Sequence, residues 1–145
     1  MKPVQILALA ALLPLAAMAQ AADPVAPIPA TEADPASFLW HQRPIVVFAN
    51  TPEDANFIRQ IELLSRAPAD LAERDAVVIT DTDPAARSPF RQQLRPNGFA
   101  IIVLDKDGKP LLRKPLPRDV REITHTIDRS PLRRQEMLER RPAGR

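Results

Sequence analysis

Pro44-Ile45-Val46-Val47-Phe48-Ala49 runs directly into Asn50-Thr51-Pro52-Glu53-Asp54. The first six residues are apolar, rich in β-branched side chains and free of polar alternation. That is the pattern of a strand buried on both faces, as in a sheet covered by helices. Thr51 and Pro52 are expected to open a helix, with Glu53 and Asp54 in its electropositive first turn. Phe57, Ile58, Ile61 and Leu64 then recur at helical spacing as one apolar stripe, and Pro68 ends it. Residues 69–73 read as a further turn.

Working outward, Asp34-Pro35 reads as an N-cap followed by a proline at the first helical position. Ala76-Val77-Val78-Ile79 is a second short strand, and Asp81, Asp83 and Pro84 form the loop after it. Ser88-Pro89 begins a short helix with Phe90 and Leu94 on one face. Phe99 to Leu104 is a third strand, and Lys106-Asp107-Gly108-Lys109 is a hairpin turn of the kind Asp-Gly favours. Leu111-Leu112-Arg113 returns along the edge. Val120, Ile123 and Ile127 mark an amphipathic helix, and Ser130-Pro131 starts a last one with Leu132, Met137 and Leu138. Right-handed helical crossovers make the first two strands parallel, and the hairpin adds an antiparallel edge. The order β-α-β-α-β-β-α predicts an α/β, thioredoxin-like fold with a mixed four-stranded sheet flanked by helices.

In a redox protein of that layout the turn at Asn50–Asp54 would carry Cys-x-x-Cys. This chain of 145 residues has no cysteine. Without a thiolate there is neither thiol–disulfide exchange nor peroxide reduction. Thioredoxins also set a proline against that turn, just before the third strand. Here Pro96 is displaced from the strand by Asn97-Gly98.

Four regions are expected. Residues 1–21 read as a secretory signal peptide: Lys2, an apolar run from Ile6 to Ala19, and small residues placing cleavage after Ala19 or Ala21. The run is too short, and too interrupted by Pro14, for a spanning helix. Residues 22–35, with Pro24, Pro27 and Pro29, read as an extended linker. Residues 36–139 are the domain, and 140–145 a basic flexible tail. Export points to a periplasmic or secreted location. The formal net charge is only +2, which gives no case for nucleic-acid binding.

Three segments are similar to a bacterial family of secreted thioredoxin-like domains of unknown function, with relatives in animal sushi-repeat extracellular proteins. They are Trp40 to Ala49, with Arg43-Pro44 before the strand; Gly98-Phe99 to Lys109; and Ile127 to Met137. The last resembles the family's terminal signature Asp-x-x-Pro-x-Arg-Arg-x-Glu-Met, here Asp128, Pro131, Arg133, Arg134, Glu136 and Met137. The resemblance implies the fold and an extracytoplasmic setting, and no reaction. A salt bridge from Arg133 or Arg134 to Asp128 or Glu136 would lock the last helix onto the sheet.

Other chemistry finds little support. Thr51 reads as a helix cap whose neighbouring acids would repel an anion, although Arg43 and Arg91 are candidate helpers for one. Asp81 and Asp83 read as a solvated loop and Asp105, Asp107 and Gly108 as turn residues. His125 falls off its helix's apolar stripe, and His41 stands alone beside Trp40, so neither metal nor cofactor is expected. The serines lie in no G-x-S-x-G context.

The resulting expectation is a non-catalytic module, a monomer or weak dimer, that binds an envelope protein or other envelope component. The binding crevice would lie at the carboxyl ends of the strands, lined by Arg43, Asn50, Thr51, Gly98 and Phe99. The alternatives are a cysteine-independent enzyme using His41, Glu53 or Asp54, and a protein held to anionic lipid or glycan by its Arg-rich C-terminus.

Overall fold

The computed structural model describes residues 26–142. The signal peptide and the last three residues of the basic tail lie outside them. Five strands, β1 (Ile28–Pro29), β2 (Arg43–Phe48), β3 (Ala76–Asp81), β4 (Ala100–Leu104) and β5 (Pro110–Lys114), form one sheet in the order β1-β3-β2-β4-β5. β1 and β2 run parallel to β3; β2 with β4 and β4 with β5 are antiparallel.

The sheet has five strands where four were expected. The extra one comes from the proline-rich stretch read as a linker. Ile28 pairs with Ile79 and Pro29 with Thr80 along the outer edge of β3. An edge is where a strand proline, lacking its N–H, is tolerated. Ala30 and Ala33 then tuck into the core.

β2 is buried along its whole length because it has a strand on each side and helices on each face. Its alternate side chains therefore feed two cores. Val46 and Phe48, with Ile102 and Leu104, pack beneath α1 (Pro35–Phe38) and α4 (Pro89–Leu94) through Phe38, Phe90 and Leu94. Ile45 and Val47, with Ile101 and Val103, face α2 (Ala55–Ser65), α3 (Pro68–Glu73) and α5 (Val120–Asp128) through Leu64, Leu71, Ile123 and Ile127. A final helix, α6 (Pro131–Glu139), closes the chain.

α2 departs from its expected form in two ways. It begins at Ala55, not at Thr51-Pro52, and its cap is Asp54, whose carboxylate accepts from the amides of Asn56 (2.9 Å) and Phe57 (3.1 Å). Its inward stripe contains Gln60 in place of Ile58, which is exposed. Gln60 can be buried because both polar atoms of its amide pair with the backbone of Arg118. Its Nε2 donates to Arg118 O at 2.9 Å, and its Oε1 accepts from Arg118 N at 2.8 Å. A buried amide so satisfied escapes the desolvation cost an unpaired one would carry. Pro68, expected as a terminator, is the first residue of α3.

Candidate functional site

The antiparallel register sets Phe48 opposite Ala100, which brings Asn50-Thr51 and Gly98-Phe99 to the same end of the sheet. Asn50 and Thr51 are exposed, as are Pro52 and Glu53. Gly98 is half-buried at φ +66, with no atom within 4 Å of where a Cβ would stand. Phe99 is buried in the core beneath α2 and α5. Arg43 is at the other end of β2, about 20 Å away at the rise of an extended chain. Of the five residues expected to line a crevice, Asn50, Thr51 and Gly98 share this end of the sheet, Phe99 lies in the core beneath it, and Arg43 stands at the other end.

Behind this rim lies a group that does not form the solvated loop expected there. Asp81 is buried at the end of β3. Its Oδ1 accepts from Arg91 Nη2 at 2.8 Å and Nε at 3.1 Å, and its Oδ2 from the Ser88 hydroxyl. Arg91 also donates to Ala49 O at 3.1 Å and lies 5.3 Å from the centre of the Phe48 ring. Ser88 caps α4 by accepting from Arg91 N. Arg91 is thereby committed to a carboxylate, a carbonyl and an aromatic face. It is not free to draw an anion to the rim, and Asp54 is spent as a cap. The signal for Asp81 was present in the sequence: Val77, Ile79 and Asp81 are alternate residues, and all three face inward.

At the opposite end the terminal signature forms an ion-pair network. Arg43, fully buried, donates from Nε to Asp105 Oδ1 (2.9 Å), from Nη1 to Arg74 O (3.0 Å) and through both terminal nitrogens to Glu136 (3.2 and 3.0 Å). Lys106 Nζ reaches Glu136 at 2.9 Å and Asp75 at 2.8 Å. Arg133 approaches Asp128 and Glu136, at 3.4 and 3.5 Å, and Arg74 grips Asp128 with two bonds of 2.8 Å. Burial alone would raise the Glu136 carboxyl, but hydrogen bonds from Arg43 and Lys106 outweigh it and bring it down to about 2. The hydrogen bond from Arg74 likewise holds Asp128 below the usual carboxylate range. Asp128, Arg133 and Glu136 are therefore structural: they fasten α6 to the start of β2 and the end of β4. Pro131 starts α6, and Arg134 and Met137 face solvent. Arg140, the first residue of the expected flexible tail, caps α6 and lies 3.5 Å from Asp75.

The model of one family, DUF4174, a domain of unknown function, matches residues 34–136. The chain belongs to the DUF4174 family. The match spans both the Asn50–Gly98 end of the sheet and the residues from Arg43 to Glu136 that form the ion-pair network. No curated protein matches. Among solved structures, the fold is similar to that of a Plasmodium yoelii peroxiredoxin, Prx1a, at 16% identity and a TM-score of 0.53, covering 78% of this chain and 86% of that one. It is also similar to Plasmodium yoelii thioredoxin peroxidase I, at 15% identity and a TM-score of 0.51, covering 75% and 83%. At such identities the likeness is one of fold, and it supports the thioredoxin-like architecture of this DUF4174 domain. Peroxiredoxin-type thiol chemistry has no cysteine to run on here.

Among the described residues no group of three His, Asp or Glu side chains is placed to hold a metal ion, and no helix is long and apolar enough to cross a membrane.

Proposed function

We propose that this DUF4174 domain is an exported, non-catalytic thioredoxin-like module that recognises a protein of the cell envelope through the loop end of its sheet. The observation that carries the reading is the state of the turn after β2. Asn50, Thr51, Pro52 and Glu53 stand exposed there, and the ionic group behind them, Asp81 with Arg91 and Ser88, is closed on itself. A nucleophile with a base beside it is what catalysis on this scaffold would need. The turn offers instead a polar rim, the side-chain amide of Asn50 and the hydroxyl of Thr51 near Gly98, with the Glu53 carboxylate at its edge.

Export rests on Lys2, the apolar run from Ile6 to Ala19 and the small residues that follow. It is consistent with the resemblance to extracellular domains, and a monomer or weak dimer is the form in which the rim stays free.

The test is crosslinking in the native compartment with a photoreactive residue at the adjacent, exposed Pro52, repeated in an Asn50→Lys background. The reading expects a discrete adduct that Asn50→Lys abolishes. An adduct of unchanged yield in that background, or turnover of a substrate that depends on His41, Glu53 or Asp54, would overturn it.

A further inference from the structure

A groove of about 360 Å³ lies on the α2/α3 side of the sheet, beside the N-terminal end of β3. Ile61 and Leu64 of α2, Leu71 of α3 and Val78 of β3 give it aliphatic walls, and no charged residue lines it. Its one polar lining side chain, Ser65, donates its hydroxyl to Glu62 O at 2.7 Å. Such a lining favours an aliphatic occupant and offers a charged one no partner.

The sheet is unfinished beside this groove. β3 runs from Ala76 to Asp81, and β2 pairs with all six of its residues on one side. On the other side β1 meets only Ile79 and Thr80. Among the described residues no strand covers the outer edge of Ala76, Val77 and Val78. Ala26 and Pro27, with which the described chain begins, line the same groove.

Register places what comes before them. Ile28 stands beside Ile79, so counting back along the parallel pair brings Val25 beside Ala76, the first residue of β3. Ile28 packs against the α1/α4 core. Side chains alternate along a strand, so Val25, three residues earlier, falls on the opposite face, toward Leu64 and Leu71. Ala76 and Val78 pack on that same face.

The sequence favours this path. In Ala22-Asp23-Pro24-Val25-Ala26-Pro27 each proline biases the residue before it to extended backbone, and Val25 is the single large aliphatic side chain. Pro27 and Pro29 alternate, as an edge strand permits when the missing N–H groups face outward. Pro24 breaks that alternation and ends the run.

We infer that Val25 is the occupant of this groove, an N-terminal latch. Residues 25–27 carry β1 back along β3 as far as Ala76, and the Val25 side chain seats against Leu64, Leu71 and Val78. The latch closes the edge of the sheet and denies the groove to apolar ligands from outside. Either expected signal cleavage, after Ala19 or Ala21, keeps Val25 in the chain. The latch is independent of what binds at the Asn50–Thr51 rim.

Methyl-labelled protein beginning at Ala22 provides the test by NMR. The Val25 methyls are expected to show nuclear Overhauser contacts to methyls of Leu64, Leu71 or Val78 within one molecule. Val25→Asp is expected to lower the thermal midpoint by about 5 °C, while Val25→Ile stays near the native value. Val25→Asp and a chain beginning at Ala26 should both bind more of the apolar dye ANS than the chain beginning at Ala22. Folded protein whose Val25 methyls lack those contacts would overturn the assignment. So would Val25→Asp protein with unchanged midpoint and dye binding. Contacts to Val25 seen only between differently labelled molecules would overturn it too, by giving the groove to a second copy of the chain.

Discussion

Arg43 and Glu136 lie 93 positions apart in the chain and meet through two hydrogen bonds, of 3.0 and 3.2 Å. One residue opens the central strand, and the other sits in the last helix. Removing the arginine leaves the buried Asp105 without its charged partner and takes two hydrogen bonds from Glu136, which keeps Lys106. Breaking a buried pair from one side costs about 3–5 kcal/mol. Arg43→Ala should lower the urea midpoint by that much stability, whereas Arg134→Ala, on the exposed face of α6, should stay within about 0.5 kcal/mol. Equal effects of the two would show that the network does not hold α6.

The same network sets a dependence on pH. Glu136 is lowered from its ordinary 4.5 to about 2 in the folded protein. A depressed folded value means the contribution is complete above the unfolded value and is lost as pH falls through the folded one. Unfolding free energy should therefore drop by about 2–3 kcal/mol between pH 6 and pH 2 from this group, with Asp128 adding in the same direction. Glu136→Gln should be less stable than the native chain at pH 7 and should flatten the acid limb. Urea titrations at four or five pH values measure both.

The two inner strands were legible because burial on both faces leaves a continuous apolar run, and β2 and β4 have that signature. The terminal lock was legible in part. The spacing of Asp128, Arg133 and Glu136 announced ion pairs near α6, but not that Arg43, Arg74 and Lys106 would join them from β2, α3 and the hairpin. β1 was not legible, since two residues show no period. Nor was Gln60, whose amide resembles a solvent-facing side chain until the backbone of Arg118 comes to it from 58 residues away. Arg43 was placed with the loop rim because it adjoins the strand that leads there. A strand separates its two ends in space by its own length, and Arg43 begins where Asn50 finishes.

Which residue starts α2 is open to direct measurement. Asp54 accepts from two helix amides, while the Thr51 side chain makes no bond to any among the described residues. Asp54→Ala should cost about 1 kcal/mol, the ordinary price of a lost N-cap, and Thr51→Ala a few tenths at most. Because Thr51 is on the proposed binding rim, its replacement should weaken partner capture without changing the thermal midpoint. The two variants together separate the helix start from the recognition surface.

Gly98 offers a sharper test of how the rim is held. Its φ of +66 lies in the left-handed region, yet a Cβ there would meet nothing within 4 Å. Any penalty on substitution must then come from the backbone and not from collision. Asparagine enters this region readily, alanine less so, and β-branched residues hardly at all. Stability should fall in the order glycine, asparagine, alanine, valine, with Gly98→Ala costing about 1 kcal/mol. Gly98→Val should also move the turn, and with it the alignment of Gly98 beside Asn50. Crosslinking through a photoreactive residue at Pro52 should then survive Gly98→Asn and fail in Gly98→Val at a temperature where both variants remain folded by circular dichroism. Equal crosslinking in both would mean that the rim's backbone geometry plays no part in recognition.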